Sequence, residues 1–285
     1  MNPRRYLLTI SCPDRTGIVA AVSGFLANHS GWIVESANHA DPESARFFMR
    51  QEVLAASLPF DLAGFRERFA EVADRFQMEW RIADTAVKKR VAILVSQQDH
   101  CLYDLLQRWQ SQEIDLDIAC VISNHDKLRG ITEFHRIPYH HVPIEPAGKA
   151  AAFAEIVRLA RAHGSDTLVL ARFMQVLPAE LCLAWPGRIL NIHHSFLPSF
   201  VGARPYHQAH ARGVKLIGAT CHYVTPQLDE GPIIEQDSLR VDHADTVEDL
   251  VRLGKDIEKT VLARGLRWHA EDRVLIAGHK TVVFR

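Results

Sequence analysis

The pattern of apolar and polar positions changes character near residue 85 of this 285-residue chain. Before that point the runs are short and mixed. RYLLTIS (5–11) predicts a strand, and CPDRTG supplies turn chemistry through Pro13, Asp14 and Gly17. In IVAAVSGFLANHSG, Ile18, Val22, Phe25 and Leu26 recur at helical spacing, closed by Asn28 and Gly31. Residues 32–56 predict two strands around a turn at Asp41-Pro42. Leu62, Phe65, Phe69, Val72 and Phe76 share one face of an amphipathic helix, and MEWRIA (78–83) predicts a further strand. The order β-α-β-β-α-β is the ferredoxin-like pattern.

After the polar stretch DTAVKKR (84–90), the strands become continuous apolar runs. RVAILVS, LDIACVISN, YHHVPI, DTLVLA and GRILNIH predict five strands. CLYDLLQRWQSQ, AAAFAEIVRLARAHG and PAELCLAW predict helices among them. Val-, Ile- and Leu-rich strands separated by helices argue for a doubly wound, mostly parallel sheet. GATCHYVT and GPIIEQDSLRV predict edge strands, residues 246–270 a long helix, and RVLIAGHKTVVF a hairpin turning near Gly278. The expected class is α/β, with a first domain at 1–84, a linker at 85–90 and a second domain at 91–285.

In open α/β sheets, ligands bind outside the carboxyl ends of the strands. Asn191 and His193 lie at that end of GRILNIH. Residues two apart on a strand share a face, so this pair points one way while Ile192 and His194 point the other. An amide N–H and an imidazole together suit a carbonyl oxygen that becomes an oxyanion. Asp229, in the turn-rich VTPQLDEGPII, is the carboxylate that would orient the imidazole. Other readings stay open on residues alone. The Asn-x-His could be a strand cap beside a surface histidine. His193, His194, Cys221 and His222 offer metal-ligand atoms, although adjacent strand histidines diverge. Cys221 could be a nucleophile beside a histidine, or simply a buried strand residue.

Composition narrows the classes. The net charge of −1 argues against a nucleic-acid partner. The five cysteines are odd in number, widely spaced and without a C-x-x-C, which suits a reducing, cytoplasmic setting better than a disulfide framework. No signal peptide or membrane-spanning run is expected.

ARFMQVL (171–177), GRILNIHHSFLPSFVGARPYHQA (187–209) and IGATCHYVTPQLDEGPII (217–234) resemble the folate-dependent formyltransferase and hydrolase superfamily. The resemblance covers about residues 88–285. It implies a formyltransferase-like second domain with a catalytic Asn191, His193 and Asp229, and no metal. The run HHSFLP followed by GARPYH is similar to the deformylase branch. The nucleotide-accepting transferases of the superfamily carry a Gly-rich phosphate loop after their first strand. Here that strand runs into QQDHCLYDLL, which has no glycine and places Asp99 where an anion would sit. Residues 4–84, with LLTISCPDRTGIVAAVSGFLANHSGWI, resemble an ACT domain.

The resemblance therefore implies hydrolysis of 10-formyltetrahydrofolate to formate and tetrahydrofolate, feeding purine synthesis and balancing the one-carbon folate pool. The folate is the substrate, and no cofactor is implied. Asn191 and His193 would stabilise the oxyanion while Asp229 assists proton transfer. Phe173, Met174, Gln175, Val176, Leu177, Thr225 and Leu228 would hold the pterin, and Arg204 and His207 would face the site or the anionic tail. Asp14, Arg15, Thr16 and Gly17 would bind an amino-acid effector, in a homo-oligomer paired through the ACT sheets. A transferase acting on an amine and a non-catalytic amino-acid sensor are the competing expectations.

Overall fold

The computed structural model describes residues 3–198 and 205–285, which divide into two compact units. The first begins with β1 (Arg5–Pro13), α1 (Ile18–Asn28), β2 (Ile33–Asp41), β3 (Arg46–Leu54), α2 (Leu62–Arg75) and β4 (Glu79–Asp84). The sheet order β2-β3-β1-β4 is antiparallel throughout. This is the expected βαββαβ arrangement, consistent with an ACT module. Ile18, Val22, Phe25 and Leu26 of α1 and Phe65 and Phe69 of α2 bury their apolar stripes on one sheet face. Asp61 caps α2 by accepting from the Gly64 N–H at 2.9 Å.

The division at the C-terminus differs from the expected one. Asp272–Ala277 and Val282–Arg285, from the predicted hairpin, belong to the first unit and not to a domain running 91–285. The physical reason lies in β3, which is buried on both faces. Phe47 and Met49 pack under the helices, whereas Phe48 packs with Leu275 and Phe284. On the same face Arg50, 1% exposed, pairs with Glu52 at 2.7 Å and donates to the Asp272 carbonyl.

The second unit contains β5 (Arg90–Val95), α3 (His100–Gln110), β6 (Asp117–Ser123), α4 (Arg129–Phe134), β7 (Tyr139–His141), α5 (Lys149–Ala162), β8 (Thr167–Leu170), α6 (Ala179–Ala184) and β9 (Ile189–His193). It continues through α7 (Pro205–Ala211), β10 (Leu216–Tyr223), β11 (Ile233–Arg240) and α8 (Val247–Ala270). The hairpin strands β12 (Val274–Ala277) and β13 (Lys280–Val283) end the chain. The seven-stranded order is β11-β10-β9-β8-β5-β6-β7. Strands β5 to β9 pair in parallel, and β10 and β11 extend the sheet antiparallel. Strand order reverses between β5 and β8, the switch point where doubly wound sheets open a crevice.

Helix α8 opens with a capping box in which Thr246 and Asp249 satisfy each other's backbone N–H groups. Helices α4 and α7 were not predicted, being only six and seven residues long. No helix among the described residues is long and apolar enough to cross a membrane. All five cysteines are free and buried.

Candidate active site

Asn191 and His193 end β9, beside a cavity of about 300 Å³. Asp229 lines the same cavity from the loop between β10 and β11, so the structure brings the three together. Asp229 adopts φ 57°, a left-handed conformation that Asp tolerates better than most residues. Two contacts fix its loop. The Tyr223 N–H donates to the Pro232 carbonyl at 2.9 Å. Gly231 lies so close that a Cβ would sit 1.7 Å from the Tyr223 carbonyl oxygen, so only glycine fits.

His193 Nδ1 stands 3.4 Å from Asp229 Oδ2, and its buried Nε2 has no hydrogen-bond partner among the described residues. Burial pushes the Asp229 carboxyl up, but the hydrogen bond and electrostatic pull of His193 outweigh it. The carboxyl titrates below the usual carboxylate range. The group is thus an ionised carboxylate behind an imidazole whose other nitrogen is free for a reacting molecule.

His222 is the residue that sequence reasoning placed only among metal ligands. The antiparallel register sets His222 opposite Asn191, and Asn191 Nδ2 donates to His222 Nε2 at 3.1 Å. His222 Nδ1 lies 2.9 Å from the Tyr223 carbonyl, which can only accept, so Nδ1 carries the proton. Burial lowers the His222 pKa and keeps the ring neutral. Its Nε2 lone pair therefore fixes which end of the Asn191 amide is nitrogen. The signal was present in GATCHYVT, whose alternation puts Thr220 and His222 on one face.

His194 does not turn to the opposite side as strand alternation predicts. Strand β9 ends at His193, and His194 lies in the following bend, lining the same cavity with its ring 5.3 Å from that of His193. Thr220 Oγ1 pins this bend by donating to the Ser195 carbonyl at 2.9 Å and accepting from the Leu197 N–H at 3.1 Å. Cys221 faces the other way, with Sγ against Gly265 of α8. Burial pushes its thiol far up, so it is no nucleophile. It cannot join His193, His194 and His222 around one ion.

Phe173, Met174, Gln175, Val176 and Leu177, following β8, line one wall, and Thr225 and Leu228 another. Phe173 is also core, 1% exposed against Phe153, while Met174, Val176 and Leu228 are more than half exposed. His207 does not reach this cavity; it lies exposed on α7. Arg204 lies outside the described residues. Asp14, Arg15, Thr16 and Gly17 form an exposed turn before α1, where Arg15 stacks on Phe76 at 5.3 Å.

Among the described residues, one other group has metal-ligand character: His100, Cys101 and Glu258. The Glu258 oxygens are already committed. Glu258 accepts from His100 Nε2 at 2.7 Å and from the Tyr206 hydroxyl at 2.6 Å, with the Arg172 cation at 3.4 Å. Burial raises the Cys101 thiol well above its ordinary value, disfavouring the thiolate a metal needs.

The formyl transferase family model matches residues 89–266. A formyltetrahydrofolate deformylase of Bacillus subtilis is 48% identical over 99% of this chain and 95% of its own. The crystal structure of a formyltetrahydrofolate deformylase from Pseudomonas syringae superposes with a TM-score of 0.98 at 61% identity, covering 100% of this chain and 96% of its own. A glycinamide ribonucleotide transformylase structure from Symbiobacterium toebii gives 0.66 at 32% identity, covering 70% of this chain and 95% of its own.

Proposed function

This chain belongs to the formyl transferase family, and on that premise we propose that it hydrolyses 10-formyltetrahydrofolate to formate and tetrahydrofolate. The observation that carries the reading is the convergence of Asn191, His193 and Asp229 on one cavity, with His222 setting the Asn191 amide. The apolar wall of Phe173 to Leu177 and the Thr225–Asp229 loop suit a flat pterin.

In the reaction, Asn191 Nδ2–H and the Nε2–H of a protonated His193 donate to the formyl oxygen. Asp229, ionised and 3.4 Å from Nδ1, orients the imidazole. A water held near Asp229 attacks the formyl carbon and passes a proton to the Asp229 carboxylate. The oxygen takes up negative charge in the tetrahedral intermediate, where the two donors hold it more tightly than in the ground state. The C–N bond then breaks, and the folate nitrogen takes a proton from His193 or through water. Formate so released feeds one-carbon demand such as purine synthesis. A cytoplasmic homo-oligomer with an amino-acid effector at Asp14–Gly17 completes the reading.

The test is to incubate the protein with 10-formyltetrahydrofolate and no acceptor and to measure formate. Release at an enzymatic rate is expected. Release only on adding an amine would replace hydrolysis by transfer, and none would make the chain a sensor. Asn191→Ala should lower turnover by about 10²- to 10³-fold while tetrahydrofolate still binds.

A further inference from the structure

Next to the Asn191–His193–Asp229 group stands a polar cluster that the steps above leave unused. It occupies the carboxyl ends of β5 and β8, at the point where strand order reverses. Glu258 of α8, 1% exposed, forms its centre. Glu258 Oε1 accepts from the Tyr206 hydroxyl at 2.6 Å, and Oε2 pairs with His100 Nε2 at 2.7 Å.

Arg172 joins this cluster incompletely. It follows β8 with φ 63°, and its Nε lies 3.4 Å from Glu258 Oε2. Nε and Nη1 are both buried with no hydrogen-bond partner among the described residues. At 3.4 Å the Glu258 carboxylate pairs with the Arg172 charge without closing a hydrogen bond to it, its short bonds being those to Tyr206 and His100. A buried charged donor without an acceptor is destabilising, so it signals a ligand. Arg172 also lines the cavity that holds Asn191, His193 and Asp229. Arg172 follows β8, whose last residue Leu170 pairs in parallel with Asn191, so it leaves the sheet beside the strand end that carries Asn191 and His193. His194, on the same wall, is kept neutral by burial and by the Arg172 charge, so it adds no competing cation.

A guanidinium in this position, with Nη1 unpartnered among the described residues, matches a small planar carboxylate, which its Nη1–Nη2 edge can grip. We propose that Arg172 is the docking point for the formate that the reaction forms. The inference rests on the hydrolytic reading, because hydrolysis is what creates a carboxylate at this depth of the cavity. Arg172 then draws the nascent carboxylate away from the formyl position, and Glu258, itself fixed by Tyr206 and His100, holds the guanidinium in place.

Formate itself is the probe. Its inhibition of substrate turnover and its direct binding, read by the line width of ¹³C-formate in NMR, are measured on the full chain. The comparison is with Arg172→Gln and Arg172→Lys. In the wild type, formate should bind and inhibit. Arg172→Gln should weaken both by at least about tenfold, with tetrahydrofolate affinity moved less than about threefold. Arg172→Lys, which keeps the charge but loses the fork, should fall between, and it serves if the glutamine variant does not fold. Formate affinity unchanged in either folded variant would overturn the proposal. So would a wild type that releases formate but does not bind it. Free glutamate competing at Arg172 in place of formate would assign the group to the folate tail and overturn it too. A wild type that makes no formate from 10-formyltetrahydrofolate overturns the hydrolytic reading instead.

Discussion

Replacing His222 by Phe removes one acceptor and one donor and keeps the buried ring volume, which isolates what the imidazole nitrogens do. His222 is 2% exposed and makes two polar contacts, to Asn191 Nδ2 at 3.1 Å and to the Tyr223 carbonyl at 2.9 Å. Without the Nε2 lone pair, nothing on β10 distinguishes the nitrogen of the Asn191 amide from its oxygen. The lost orienting bond is worth about 0.5–1.5 kcal/mol, which sets a floor of about two- to tenfold on turnover. If Asn191 turns its oxygen toward the formyl group, a whole oxyanion donor goes, and the loss rises to about 10²- to 10³-fold. The expected kcat for formate release therefore falls within that range, with tetrahydrofolate affinity nearly unchanged.

A double-mutant cycle makes the reasoning refutable. If His222 acts through Asn191, adding His222→Phe to Asn191→Ala costs no further turnover, because the group being oriented is already absent. Two losses that multiply would refute the positioning role. His222 would then act on the reaction directly, through Asp229 Oδ1 at 3.9 Å or through the substrate.

The remaining expectations concern charge, pH and packing. Asp229→Asn keeps the shape and tolerates φ 57° but removes the charge facing His193, so kcat/KM should fall by about 10²-fold or more in steady-state kinetics. Because the Asp229 pKa is held below the carboxylate range, the wild-type profile between pH 5 and 8 should show no limb from this group. His194 titrates at about 3 when folded, against about 6.5 when unfolded, so the unfolded chain binds the extra proton between those values. Stability should fall with acidification through that window by up to about 1.4 kcal/mol per pH unit from this group. His194→Asn should flatten the slope in denaturant titrations by about one proton. Gly254→Ala gains about 1 kcal/mol of helix propensity in α8. Its Cβ, however, would lie 2.1 Å from the Tyr206 hydroxyl oxygen and break the bond to Glu258, so chemical denaturation should show net destabilisation of about 2 kcal/mol or more.

The parts legible in the sequence are those governed by local periodicity. The short, β-branched apolar run RVAILV reads as a strand buried on both faces, and α8 declares its start through Thr246 and Asp249. Asn191 and His193 were legible as a pair because alternation and position at a strand end are local properties. What was not legible depends on register and on distant segments. The covering of β3 by Leu275 and Phe284 joins residues more than 200 positions apart, and only the burial of Phe48 and Arg50 on the outer face hints at it. His194 was misplaced because alternation was carried one residue past the end of β9.

His222 and Arg172 show the same limit at the site itself. His222 matters because β9 and β10 pair antiparallel in the register that opposes it to Asn191; a shift by one residue would put Cys221 there and turn both side chains to the wrong faces. Arg172 matters because β8 is parallel to β9 and two residues short of the same end. Neither residue stands in a motif of its own. Sheet topology alone converts a histidine 31 positions from Asn191 into its hydrogen-bond partner, and an arginine just past the neighbouring strand into a cation at the same cavity. The chemistry-bearing residue types were visible from the start, and their division of labour follows from which strands lie side by side.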